Sequence, residues 1–148
     1  MKITLSINSG HSIDLNYSQT SNVLCDIGDD PSLADFYTEA ANHPSSQVRC
    51  IVATKECLPV NVLEKLANDP HIDVVRVVAQ NSSALRSFSA EFLTKMIARD
   101  MGIAFELADK LPQIQEDSTR EEAIVAIQKI EDPELQRKVS RYLHSLIN

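Results

Sequence analysis

The stretch ANHPSSQVRCIVATK (Ala41–Lys55) is followed 26 residues later by ANDPHIDVVRVVAQN (Ala67–Asn81). Six of the fifteen aligned positions are identical: Ala41/Ala67, Asn42/Asn68, Pro44/Pro70, Val48/Val74, Val52/Val78 and Ala53/Ala79. Average residue usage predicts about one. Alone, VVRVVA is ambiguous, because four valines suit a buried strand as well as a helix. The alignment arbitrates. In the first copy the matching VRCIVATKE runs into LPVNVLEKLAND, a clear amphipathic helix with Val62, Leu63, Leu66 and Ala67 on one face. A unit built from a proline start, a short helix, a Leu-Pro break and a second helix is the signature of a helical repeat. A fainter third copy sets LTKMIARD (93–100) against VLEKLAND (62–69), with Asp100 facing Asp69 at a spacing stretched to 31.

Working outward, the helical signal extends to the C-terminus. Asp30-Pro31 and Asp132-Pro133 each pair a capping aspartate with a proline at the first helical position. The stripe Leu33, Phe36, Tyr37, Ala40 follows the first pair; Leu135, Val139, Tyr142, Leu143, Leu146 follows the second. Between them, Phe92, Leu93, Met96, Ile97 follow Ser89, and Ile103, Leu107, Leu111 end at Pro112. Ser118 or Thr119 starts a helix carrying Ala123, Ile124, Ile127 and Ile130, with Glu121 or Glu122 placed for a capping box. Residues 82–87 and 113–117 are the expected flexible stretches. The N-terminus differs. Ile3, Leu5, Ile7 alternate with Lys2, Thr4, Ser6, and alternation resumes from Ile13 to Tyr17 after the turn residues Asn8, Ser9, Gly10. This predicts a β-hairpin over residues 1–18. A lone hairpin is marginal in water, so its Ile3, Leu5, Ile7 face is expected to lie on the helices or to pair with another chain through an open edge.

The order Pro44…Val48-Arg49-x-x-Val52-Ala53, Leu58-Pro59…Leu63-x-x-Leu66-Ala67-x-Asp69-Pro70 resembles the leucine-rich repeat variant, a bacterial member of the HEAT/armadillo-like α-solenoids, over residues 41–81. The resemblance implies an α-superhelix and a protein-binding role. In the second copy Val75 aligns with Arg49, and Arg76 comes one residue later. At about 100° per residue, Arg76 cannot take the place of Arg49. Both arginines are read as ion-pair partners for an aspartate of the adjacent turn, Asp69 or Asp73. Some members of that family carry an iron–sulphur cluster on an added cysteine cluster. This chain has none, so no cofactor is carried over.

Composition narrows the function classes. With 148 residues the chain is the size of one domain. Three glycines disfavour all-β folds and phosphate-cradling loops. No apolar run is long enough for a membrane span. Cys25, Cys50 and Cys57, an odd number without a CxxC pair, fit a reducing, cytoplasmic setting. The net charge of −7 is uneven. Residues 1–74 hold four Lys/Arg against ten Asp/Glu (−6), and residues 75–148 hold ten against eleven (−1). An acidic surface repels nucleic-acid phosphate and favours a basic protein partner.

Motifs for chemistry are lacking. The cysteines lack zinc spacing and read as small hydrophobes. His11, His43, His71 and His144 form no HxxxH or HExxH. The acids of DIGDDPSLAD do not follow the calcium-loop pattern, so Asp29 and Asp30 read as helix-starting residues. No catalytic, cofactor-binding or metal residue is assigned. The resulting expectation is one domain, 1–148: a hairpin (1–18) and a mainly α, short HEAT/ARM-like solenoid (19–148), with clearest units 41–66 and 67–92. Its expected function is a non-enzymatic adaptor, inhibitor or immunity-type protein that binds a protein partner in a groove lined by successive second helices. The alternatives are an enzyme or accessory lyase built on the same repeats, and self-association through the hairpin.

Overall fold

The ambiguous VVRVVA is helical. It lies within Ile72–Gln80, where Val74, Val75, Val78 and Ala79 are all buried. The computed structural model describes residues 2–147. Among these, a two-stranded antiparallel hairpin, β1 (Thr4–Ser6) and β2 (Ser12–Asp14), precedes ten helices. They are α1 (Tyr17–Asp26), α2 (Ala34–Ala40), α3 (Ser46–Ala53), α4 (Val60–Ala67), α5 (Ile72–Gln80), α6 (Ser82–Ser87), α7 (Ala90–Ile97), α8 (Met101–Lys110), α9 (Asp117–Gln128) and α10 (Pro133–Ser145). The protein is mainly α with an N-terminal hairpin, as expected. No helix is long and apolar enough to cross a membrane among the described residues.

The two aligned copies become α3 and α5. In each, the first and second identical valines are fully buried (Val48 and Val52, Val74 and Val78). Helix α1 packs on α3, α3 on α5, α5 on α8 and α8 on α10; α4 packs on α5, and α7 on both α8 and α9. One apolar core runs through these contacts, from Leu24 and Tyr37 through Leu63, Leu66 and Leu93 to Ile127 and Val139.

Polar links recur at the same spacing as the apolar ones. Lys55 and Asn81 occupy equivalent positions in the two copies. The Lys55 ammonium donates to the Ile27 carbonyl at 2.6 Å, and the Asn81 amide donates to the carbonyls of Ala53 and Lys55 at 2.9 and 3.0 Å. Each thus satisfies carbonyls at or just past the end of an earlier helix, α1 for Lys55 and α3 for Asn81. Beside them run two carboxylates. Asp29 accepts the backbone N–H groups of Glu56 and Cys57, and Glu56 accepts those of Ser82 and Ser83.

Several expectations are corrected. Pro44 and Pro70 do not occupy the first helical position. They lie in the preceding turns, with Ser45 and His71 as the N-caps. Asp30 starts a helical turn as expected, accepting from Ser32 N–H, but Asp29 instead holds the chain 27 residues on. Residues 82–87 form α6, capped by Asn81, which accepts from Ala84 N–H. Residues 113–117 cover the end of a 3-10 turn, Leu111–Gln113, and the first residue of α9. Position 92, expected to end the second unit, falls inside α7. No capping box forms at α9, whose N-cap is Glu116.

The hairpin is shorter than its alternation suggests. Tyr17 is helical, because Asn16 and Gln19 close a reciprocal capping box at the start of α1. Gly10 closes the hairpin turn at φ +84°, a conformation that a Cβ would strain. The register pairs Leu5 with Ile13. Most of the Ile3, Leu5, Ile7 face is not laid on the helices: Ile3 is half-buried, but Leu5 is 46%, Ile7 64% and the facing Ile13 61% exposed.

Candidate functional site

Arg49 belongs to the framework. From α3 its guanidinium forks onto Asp69, with Nε to Oδ2 at 2.6 Å and Nη2 to Oδ1 at 2.9 Å, while Nη1 donates to the carbonyls of His43 and Pro44. Arg76, one residue later in its helix, makes the corresponding fork onto Asp100, at 3.0 Å for both bonds, and touches Asp73 at 3.3 Å. Its starting position differs from that of Arg49, but its long side chain reaches the aspartate that the fainter third copy aligns with Asp69. Arg99 ties the same turn from the other side, donating to the carbonyls of Ala67 and Asp69. Burial works to raise the Asp69 pKa. The Arg49 fork and the His71 N–H outweigh it and hold the carboxyl below its usual range.

The reactive residue types are scattered. Cys25 is exposed on α1, Cys50 is half-buried on α3, and Cys57 is half-buried in the turn before α4. Burial, then the hydrogen bond and charge of Asp29, push the Cys57 thiol up to about 11. Burial raises Cys50 too. Each setting favours the thiol over the nucleophilic thiolate. His43 is buried, accepts the Ser45 N–H through Nδ1, and meets the Tyr17 ring edge-on at 5.0 Å. His71 lies 3.6 Å from Asp73 on the surface, too far for a hydrogen bond. Among the described residues, no group of three or more His, Cys, Asp and Glu side chains is placed to hold a metal ion.

A concavity lies between α7 and α9. A cleft of about 390 Å³ is lined by Thr94, Ser118, Glu121, Glu122, Val125, Ala126 and Lys129. A second hollow of about 260 Å³ adds Ile97, Ala98 and Ile130, and shares Thr94, Ala126 and Lys129 with the first. The two form one groove. The large side chains of the two helices, Leu93, Met96 and Ile97 on α7 and Ala123, Ile124 and Ile127 on α9, turn into the core, and the outer positions facing the groove, Thr94, Ala98 and Ala126, are short. Its floor is apolar. Glu121 and Glu122 form an acidic wall in the first turns of α9, and Lys129 lies just past its C-terminal end. Sequence reasoning placed Ala123, Ile124 and Ile127 in the core correctly but did not single out this outer face. The spacing Ser118, Glu122, Val125, Ala126, Lys129 marks it as one helical stripe.

The chain matches no family model, no curated protein and no solved structure.

Proposed function

We propose that the chain is a non-enzymatic protein-interaction module whose helix pairs stack as a short α-solenoid of the HEAT/armadillo kind. Its partner docks in the α7/α9 groove. In this reading α1, α3, α5, α8 and α10 stack in order as one layer, and the groove lies in the other layer, between α7 and α9. The observation that carries the reading is the groove itself: an apolar floor of about 260 Å³ beside a two-glutamate wall. That combination suits one face of an amphipathic helix, with aliphatic side chains on Ala98, Ala126 and Ile130 and lysine or arginine toward Glu121 and Glu122. Supporting it are the recurring Arg–Asp forks and the Lys55 and Asn81 links, which make a rigid stack and leave side chains at its outer face free for recognition. Glu121 and Glu122 place acid at the groove itself, in a half of the chain that is otherwise near charge balance, and favour a basic partner there.

The test is calorimetric titration with a panel of lysine-rich amphipathic helical peptides. Binding is expected to weaken with salt and to be lost in Ala126→Arg. It is expected to fall about tenfold in Glu121→Lys with Glu122→Lys. A panel that binds Ala126→Arg as well as the wild type would sink the groove assignment. Loss of all partner capture alongside a hydrolase activity would favour an enzyme built on the same repeats.

A further inference from the structure

We propose that two copies of this chain form a two-fold dimer by antiparallel pairing of β1 with β1, centred on Leu5. The proposal stands on the hairpin alone and is independent of the groove. In the hairpin, Ile7 N–H donates to the His11 carbonyl and Leu15 N–H to the Ile3 carbonyl. The odd-numbered residues of β1 therefore spend their backbone groups on β2. Thr4 and Ser6 direct theirs to the open edge, as antiparallel parity requires. Around Leu5 the sequence is a chemical palindrome, Ile3-Thr4-Leu5-Ser6-Ile7. A second copy turned about Leu5 sets Thr4 against Ser6 in hydrogen-bonded pairs and Ile3 against Ile7 on one face. The two Leu5 residues then form a non-hydrogen-bonded pair, with Cα atoms about 4.5 Å apart. The two-stranded ribbon becomes a four-stranded sheet whose two central strands present an apolar stripe of Ile3, Leu5 and Ile7 from each copy, with His11 on the outer strands of the same face. Leu5 and Ile7, both exposed in the single chain, gain cross-strand neighbours of their own kind, Leu5 and Ile3 of the second copy.

Charge favours a second copy at this edge. Within residues 2–15 the only Asp, Glu, Lys or Arg side chains are Asp14 and Lys2, which pair with each other at 2.5 Å; His11, at the turn end of the hairpin, is the one further titratable group. In a chain of net charge −7, the hairpin is thus a neutral patch where two acidic molecules can meet. The Leu5-centred register sets Lys2 opposite Asn8, so no like charges face each other. The β2 edge is the poorer candidate: Asp14 lies within that strand, where a charge blunts the edge, whereas Lys2 lies outside β1. An edge of this length buries less than the roughly 1,200 Å² of a stable interface, so the association is concentration-dependent.

The test is sedimentation equilibrium of the full chain, as wild type, Leu5→Asp, Leu5→Lys and an equimolar mixture of the two variants. The wild type is expected to dimerise with rising concentration. Each variant alone places like charges face to face and is expected to dimerise at least about tenfold more weakly. The mixture is expected to recover a heterodimer. Ser6→Pro, which removes an outward N–H, is expected to behave as a monomer. Thermal midpoints equal to wild type show that the helices are intact in each variant. A wild type that stays monomeric at millimolar concentration overturns the proposal, as does a dimer indifferent to Leu5→Asp. A mixture that stays monomeric overturns the Leu5-centred register.

Discussion

Arg49 and Asp69 join the two copies of the repeated stretch through a fork that is nearly shut off from water, the side chains being 14% and 6% exposed. The corresponding fork between Arg76 and Asp100 is wetter, at 42% and 24%. Identical chemistry in two settings yields unequal energetics. Removing one partner of a buried pair strands a charge in low dielectric and costs about 3–5 kcal/mol. Removing one partner of an exposed pair costs about 1 kcal/mol or less. Arg49→Met is therefore expected to lower the urea midpoint several-fold more than Arg76→Met. Equal losses would mean that Asp69 finds another partner or admits water.

Gly102 is explained by the second fork. A Cβ built there would lie 2.7 Å from Asp100 Oδ1 and 3.2 Å from Arg76 Nε. Asp100 has little room to yield, because Oδ1 also accepts the Ile103 N–H at the start of α8. Alanine ordinarily stabilises a helix over glycine by about 1 kcal/mol. Here Gly102→Ala is expected to destabilise by about 1 kcal/mol instead. In an Arg76→Met background part of that loss should disappear, since one of the two crowded groups is gone. A double-mutant cycle by chemical denaturation measures the coupling.

What the sequence made legible was what rests on local pattern. Aligning Ala67–Asn81 with Ala41–Lys55 was enough to read α5 as a helix against the strand propensity of its valines. Asp30 and Asp132 cap where their Asp-Pro pairs predict. Helix α1 escaped because its buried face is Thr20, Ser21 and Leu24, which presents one large apolar side chain. Its only strong local signal was the spacing of Asn16 and Gln19. Helix α6 escaped because SSALRS has loop composition. It is helical because Asn81 caps it, Glu56 takes its first N–H groups, and Ala84 and Leu85 reach the core. The links of Lys55, Asn81, Asp29 and Glu56 span 26 to 28 residues, beyond any window of periodicity. They were in principle findable, since Lys55 and Asn81 align. The groove is a relation between α7 and α9, and nothing in one sequence shows that Thr94 and Ala98 lie beside Ala126.

Acid should unfold the protein in two stages. Burial, reinforced by the nearby Arg49 guanidinium, holds His43 below its ordinary pKa. Below about pH 6.5 the unfolded chain protonates this histidine while the folded chain resists. The unfolded state then binds more protons, so stability falls as the pH drops. Asp69 is also depressed when folded, and its contribution is complete above about pH 4 and lost below it. Urea midpoints plotted against pH are expected to decline below 6.5 and again below 4. His43→Gln should flatten the first decline and leave the second. A single decline confined to the carboxylate range would show that His43 charges freely in the folded state.

Cys25 and Cys57 should react at very different rates. Cys25 is exposed and meets reagent directly. Cys57, half-buried and raised to about 11 beside Asp29, has little thiolate at pH 8. Native-state alkylation followed by peptide mass spectrometry is expected to label Cys25 first and Cys57 much later. Asp29→Asn removes the charge that disfavours the thiolate and should speed Cys57. Fast labelling of native Cys57 would instead point to an activated nucleophile and to the enzymatic alternative.

Thr20 offers a gain rather than a loss. Its hydroxyl and that of Ser21 are buried in α1 without a hydrogen-bond partner. A buried hydroxyl stripped of water and left unpaired costs about 1–3 kcal/mol. Thr20→Val keeps the branched shape and replaces the hydroxyl with a methyl, so no cavity opens on the face packed against α3. The expected result is an increase of about 1 kcal/mol in unfolding free energy. Ser21→Ala should act in the same direction with a smaller packing gain, because it deletes the oxygen without filling its space. Measured by urea denaturation, a Thr20→Val protein less stable than wild type would mean that the hydroxyl is satisfied in solution. The polar face of α1 would then be an anchored contact to α3, not a stretch of sequence waiting to be improved.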